Sequence, residues 1–262
     1  MERVLVPHAE INYDERYHID HFKGFDWRNP KKPDGSPMTP YELKCAAVHF
    51  ARANGFKETG MSVNEIALMY DLLEQKKPKY VVELGRNYGC STRLFIPHVI
   101  RHGGNFDSWD LKHWDGFIET MGAAGYCFKI YNEKVAGRQE TAYGPLELED
   151  GTKSSIRLLV RDSVKSDIVP PDPRNDRFVD FLLIDTEHGL EHALGEYMRW
   201  RNFLNSGALV AFHDSTLPGP KRAIEIIKEV EEMAAPGAGR FVREYENERV
   251  DGYGIHVLEM KG

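Results

Sequence analysis

Cysteine is scarce in this sequence. Of 262 residues only Cys45, Cys90 and Cys127 are cysteines. They are widely spaced, odd in number and form no C-x-x-C, which excludes a disulfide framework and a cysteine-type structural zinc and fits a reducing, cytoplasmic location. Long apolar runs are missing as well. No stretch approaches the roughly 18 apolar residues of a membrane span, and MERVLVPHAEINYDERYHID at the start has only a few apolar residues before Pro7, so neither a membrane helix nor a signal peptide is expected. There is no block of Lys or Arg: 41 acidic against 34 basic residues leave a formal charge of −7. A backbone-gripping basic patch is therefore not expected, nor is a nucleic-acid partner. Repeats and low-complexity tracts are also absent. What is left is an ordinary globular composition in a chain long enough for one large α/β domain with an appendage. The expected partner is a small molecule.

The chain is organised around KYVVELGRNYGCST, residues 79 to 92. The apolar run of Tyr80, Val81, Val82 and Leu84 predicts a buried strand, Gly85 and Gly89 a tight loop, and Ser91 and Thr92 the start of an amphipathic helix over 93–101. Glycine can take positive φ in such a loop and lets a ligand approach the backbone. Glu83 is expected at the loop mouth as a fixed negative charge, beside the exposed N–H groups that open the helix. A ligand with both an ammonium and a carboxylate suits that pair. The spacing Gly85-x-x-x-Gly89 is neither the G-x-G-x-x-G of a dinucleotide site nor a P-loop.

Residues 1–39, aromatic-rich but without periodicity, read as an irregular arm. Capping boxes at Thr39–Glu42 and Ser62–Glu65 predict two helices, over 43–54 and 66–75. After the glycine loop and its helix, 105–111 reads as a strand ending at Asp110, and 112–125 as a helix. Residues 126–131 read as strand-like and 132–153 as a long loop or insertion. Strands follow at 156–160, just before Arg161, Asp162 and Ser163, and at 179–184, ending at Asp185. A helix over about 190–204, a turn at 205–207, a buried strand at 208–212 ending at His213 and Asp214, a helix at 220–234 and a closing hairpin of 241–245 with 253–259 complete the chain. Alternating β-α units predict a Rossmann-like, doubly wound seven-stranded sheet with a C-terminal antiparallel hairpin. The expected division is an N-terminal arm and cap helix over 1–60 and a catalytic domain over 61–262.

Glu83, Asp110, Asp162, Asp185 and His213-Asp214 all fall at predicted strand C-termini, the rim where open α/β sheets bind ligands. E-x-G-x-x-x-G after a first strand resembles motif I of class I methyltransferases. With I-D-x-x-H and G-A-x-x-x-x-H-D further on, residues 62 to 260 resemble the S-adenosylmethionine-dependent methyltransferases of the cephalosporin-hydroxylase-like and macrocin O-methyltransferase-like groups.

That resemblance implies S-adenosylmethionine as cofactor, with Glu83, Gly85, Gly89 and Ser91 at the methionyl part, Asp110 at the ribose, and Asp162 with Ser163 on the adenine side. It implies a divalent metal, Mg²⁺ or Mn²⁺, on Asp185, His213 and Asp214. His213 stands where some relatives have a carboxylate, and its imidazole suits Mn²⁺, Fe²⁺ or Zn²⁺ better than Mg²⁺. Asp185, His188 and His213 are the candidate catalytic residues. The leading expectation is metal-assisted O-methylation of a hydroxyl on a sugar, phenol or other natural product. The alternatives are a metal-independent N- or O-methyltransferase with a histidine base, and a non-catalytic subunit that binds the adenosyl cofactor. The aromatic arm also suggests a homo-oligomer.

Overall fold

The computed structural model describes residues 1–6, 11, 18–53, 60–111, 115–135, 138–165, 178–234, 239–247 and 254–262. The first half runs β1 (Glu2–Val6), α1 (Pro40–Arg52), α2 (Val63–Lys76), β2 (Tyr80–Leu84), α3 (Cys90–His102), β3 (Asn105–Asp110) and α4 (Asp115–Ala123). The second runs β4 (Tyr126–Val135), β5 (Arg138–Leu148), β6 (Lys153–Val160), β7 (Val179–Ile184), α5 (Leu190–Trp200), β8 (Leu204–His213), α6 (Pro218–Ala234), β9 (Phe241–Asn247) and β10 (Ile255–Met260).

Both capping boxes form. Thr39 and Ser62 each accept the N–H of the residue three along, and Glu42 and Glu65 each accept the cap's own N–H, so two otherwise orphaned donors are satisfied at each helix start. Strands β2 and β7 are rich in apolar residues and buried because both faces of the sheet are covered there. On one face α1, α2 and α3 bury a cluster in which Phe95 lies 5.3 Å from Phe106 and 5.5 Å from Phe181. On the other, α5 and α6 bury Tyr197, Trp200 and Ile227 against Trp109 and Phe212. Each such side chain contributes about 1.5–3 kcal/mol on burial.

The strands form one sheet in the order β1-β9-β10-β8-β7-β2-β3-β6-β5-β4. Strands β8, β7, β2, β3 and β6 pair in parallel, and β10 and β5 run antiparallel to their neighbours. From β2 the chain winds outward through β3 to β6, then crosses back to β7 on β2's other side, so the winding reverses between β2 and β7. That is the switch point at which doubly wound sheets open a crevice.

The doubly wound class and the closing antiparallel pair are as expected, but the described residues hold ten strands, not seven. The predicted loop at 132–153 is mostly sheet: β4 and β5 pair antiparallel from Tyr126 opposite Leu148 to Val135 opposite Arg138. The predicted irregular arm begins with β1, parallel to β9. The predicted turn at 205–207 lies inside β8, where the register against β7 shifts between Val179 and Phe181. Residues 112–114, at the start of the predicted fourth helix, and 248–253, between the last two strands, lie outside the described residues. Among the described residues no helix is long and apolar enough to cross a membrane.

Candidate functional site

Backbone hydrogen bonds beyond the strand ends gather the rim. Gly85 N–H donates to Trp109 O, Arg161 N–H to Asp110 O and Asp185 N–H to Leu84 O, each at 2.8 Å. Gly85 has φ +89°, and a Cβ there would lie 1.9 Å from the Asp185 carbonyl oxygen. Only glycine allows the loop to press this closely on the end of β7. Asn87 and Gly89 also have positive φ, and no side chain caps the N-terminus of α3. The positive end of α3's dipole is therefore turned to the loop, which fits an anionic carboxylate group.

Glu83 does not stand at the loop mouth. It is fully buried beneath the loop, and its carboxylate accepts hydrogen bonds from Ser91 (2.5 Å), Thr92 (2.6 Å) and Ser108. Burial pushes its pKa up to about 7, against the pull of those three hydroxyls and the Arg86 guanidinium. Ser91 is likewise buried and spent on Glu83. Asp110 accepts the N–H groups of Arg86 at 3.0 Å and Asn87 at 2.8 Å, which fixes the loop from the end of β3. Asp162 accepts the N–H groups of Val164 and Lys165, and Ser163 donates to the buried Glu196, which also accepts from Thr186 at 2.7 Å. Glu196 stands in the middle of α5 and is marked by nothing in the sequence except its place in an apolar stripe.

The second half of the rim is a charge cluster. Asp185, His188 and Asp214 each offer one ligand atom, and the three atoms lie within 4.8 Å of one another. His188 Nε2 is 2.7 Å from Asp214 Oδ2. Its loop is held by the start of α6, where a Cβ on Gly219 would lie 2.1 Å from the His188 carbonyl oxygen. Asp214 takes φ +51°, a left-handed backbone unusual for a residue with a side chain and concentrated at functional sites.

Two histidines meet the expected carboxylates. His188 reaches them from the exposed side, and His213 from the buried side. Nδ1 of His213 is 2.8 Å from Asp185 Oδ1 and 3.4 Å from Asp214 Oδ2, and its Nε2 is 3.5 Å from Glu65 Oε2. Burial alone would lower its pKa, but the carboxylates of Asp185, Asp214 and Glu65 outweigh it and hold the ring well above the usual histidine range. Burial raises the pKa of Asp185 despite His213. Burial acts the same way on Asp214, but His213 and His188 prevail and lower it. Glu65 reads in the sequence only as a capping residue, yet it caps α2 and faces His213 at once.

The loop, the crevice and the acid cluster are joined by a match in sequence. Residues 82–215, a little over half of the chain, match the family described as a methyltransferase domain. The chain belongs to that family. It is an S-adenosylmethionine-dependent methyltransferase, as the resemblance implied. In structure the methyltransferase is similar to the O-methyltransferase TomG from Streptomyces achromogenes, involved in tomaymycin synthesis and solved in complex with SAM. The TM-score is 0.51 at 14% identity, over 84% of this chain and 89% of that one. It is also similar to an O-methyltransferase from Bacillus cereus in complex with SAH, with a TM-score of 0.50 at 13% identity, over 93% and 100% of the two chains. At these identities the likeness is one of fold. No curated protein matches the methyltransferase in sequence.

Proposed function

We propose that the methyltransferase acts on a hydroxyl of a polar small molecule, a sugar, phenol or natural product, with a divalent metal held by Asp185, His188 and Asp214. The observation that carries this reading is the convergence of those three side chains within 4.8 Å, directly against the Gly85 turn. Two carboxylates and one imidazole suit Mn²⁺ and admit Mg²⁺. When bound, S-adenosylmethionine supplies the electrophilic methyl group, and a divalent ion supplies Lewis acidity that lowers the pKa of a coordinated hydroxyl. The protein's own work is alignment and proton removal. The loop from Gly85 to Gly89, held from beneath by Ser91 through Glu83, and Asp110, Asp162 and Ser163 form the cofactor side. Asp185, His188 and Asp214 orient the acceptor oxygen in line with the methyl group, where positioning carries much of the rate. His213, 2.8 Å from Asp185 and 3.4 Å from Asp214, braces the two carboxylates from the buried side.

One observation favours a second reading. His188 is half exposed and lies 2.7 Å from buried Asp214, so the pair can serve as a metal-free general base, with Asp214 holding the ring's orientation and stabilising its charge. The two readings part on chelation. Chelator-stripped protein is assayed against diol and catechol acceptors with and without Mn²⁺, and titrated calorimetrically with S-adenosylmethionine. In the metal reading, activity returns with Mn²⁺, and the Asp185→Ala/Asp214→Ala double variant loses at least about 100-fold in rate while cofactor affinity stays nearly unchanged. Full activity in the presence of chelator, lost in His188→Ala, would establish the metal-free base instead. Absence of cofactor binding in the folded wild type would overturn both.

A further inference from the structure

Away from the rim, at the far end of α3, lies a second group of metal-binding side chains. Glu74 in the last turn of α2 meets His98 and His102, spaced i and i+4 on α3, and one ligand atom from each lies within 4.8 Å of the others. His102 Nε2 is 3.0 Å from Glu74 Oε1, and Arg101 donates to the same oxygen at 2.8 Å. The two imidazole rings lie 4.8 Å apart.

His98 sets this group apart from an ordinary ion pair. It is 4% exposed. Its Nε2 lies 3.1 Å from the Pro78 carbonyl, which can only accept, so that nitrogen carries the proton. Its Nδ1 is buried and has no partner among the described residues. A buried polar atom without a partner is costly. Yet a histidine that donates one ring N–H to a backbone carbonyl and offers the other nitrogen as a lone pair is the arrangement that metal-ligating histidines adopt. Arg101 accounts for Glu74, but nothing accounts for Nδ1.

We propose that Glu74, His98 and His102 form a second metal site, selective for a transition metal of the zinc class, that ties the last turn of α2 to the last turn of α3. Two imidazoles and a carboxylate select Zn²⁺ or its neighbours over Mg²⁺. With bonds of about 2.0–2.1 Å, two tetrahedral zinc ligands stand roughly 3.3 Å apart, close to the 3.0 Å now between His102 and Glu74. The C-terminal end of α3 adds the negative end of its dipole, which favours a cation there. The adjoining cavity, lined by Leu73, Glu74, Leu94, His98 and Arg101 among others, is about 10 Å³, large enough for one water-sized body and too small for a substrate. The role is therefore structural. The third such cluster, Glu244, Glu246 and His256, differs at its histidine, whose two ring nitrogens already face carboxylates, Glu244 at 3.3 Å and Glu246 at 2.9 Å.

The test starts from a chelator-stripped Asp185→Asn/Asp214→Asn variant, which disables the rim cluster, titrated with Zn²⁺ by calorimetry and with Co²⁺ by visible absorption. The expected result is one Zn²⁺ per chain, a tetrahedral Co²⁺ band and a rise in melting temperature. All three should be lost when His102→Gln or, separately, Glu74→Gln is added. Because His102 is less buried than His98 and Glu74 is partly exposed, these variants keep the fold, which circular dichroism verifies. No stoichiometric Zn²⁺ in the starting variant, or binding unchanged by His102→Gln, overturns the proposal. Neither result bears on the rim cluster, whose metal is read in the wild type.

Discussion

A carboxyl group sealed beneath a glycine loop must titrate differently from one in water, and Glu83 makes the difference measurable. Burial raises its pKa from 4.5 to about 7 in the folded protein. The folded state thus binds this proton more tightly than the unfolded chain does. Its contribution to stability is fully present below pH 4.5 and is lost as the pH rises through about 7, on the order of 3 kcal/mol in all. Glu83→Gln keeps the shape and removes the titration. Urea midpoints of the two proteins, compared from about pH 5 to about pH 8, should show the wild type losing stability relative to the variant by roughly that amount. A gap that stays constant across the range would mean that Ser91, Thr92 and Ser108 keep Glu83 ionised throughout. The side chain's position in the motif is plain in the sequence. Its burial is not, because the three hydroxyls that surround it come from α3 and from a neighbouring strand.

At the level of elements, the segment before α1 belongs to the core. Phe22 and Trp27 pack on Phe50 of α1 at centroid distances of 5.0 and 5.4 Å, with Phe25 against both at 5.9 and 4.5 Å, and Trp27 Nε1–H donates to Tyr126 Oη of β4 at 2.6 Å. Trp27→Ala should therefore cost about 3–5 kcal/mol. Tyr126→Phe, which only strands the indole N–H, should cost about 1–3 kcal/mol. Denaturant unfolding measures both, and a loss below about 1 kcal/mol in Trp27→Ala would show that the arm is not anchored. The sequence marks these aromatics as too many for a loose tail but carries no period to say where they dock. The hairpin of β4 and β5 is hidden for a related reason. It lies at one edge of the sheet, with Ile130 exposed and Lys129, Asn132, Thr141 and Glu147 breaking the apolar pattern, whereas β2 and β7, covered on both faces, announce themselves as apolar runs. The link from Glu65 to His213 joins residues far apart in the chain, and no local pattern encodes it.

The rim is a property of the whole molecule. Gly85, Asp110, Asp162, Asp185 and Asp214 come from the ends of five strands and are brought together only when the sheet closes, so an unfolded chain has no cofactor site. A ligand bound only by the folded state stabilises it by RT ln(1 + [L]/Kd), about 2.7 kcal/mol at a hundredfold excess over Kd. For a domain of this size that corresponds to a rise in melting temperature of roughly 5–10 °C. Calorimetric scans at increasing S-adenosylmethionine should show this shift in the wild type, growing with the logarithm of concentration. Asp214→Asn should keep it, because the proposed function puts Asp214 on the acceptor side of the crevice, and should lose the separate rise which that function expects from Mn²⁺ in the wild type. A cofactor shift abolished by Asp214→Asn would mean that the two halves of the rim are one binding unit, and Asp214 would then move from the acceptor side to the cofactor side.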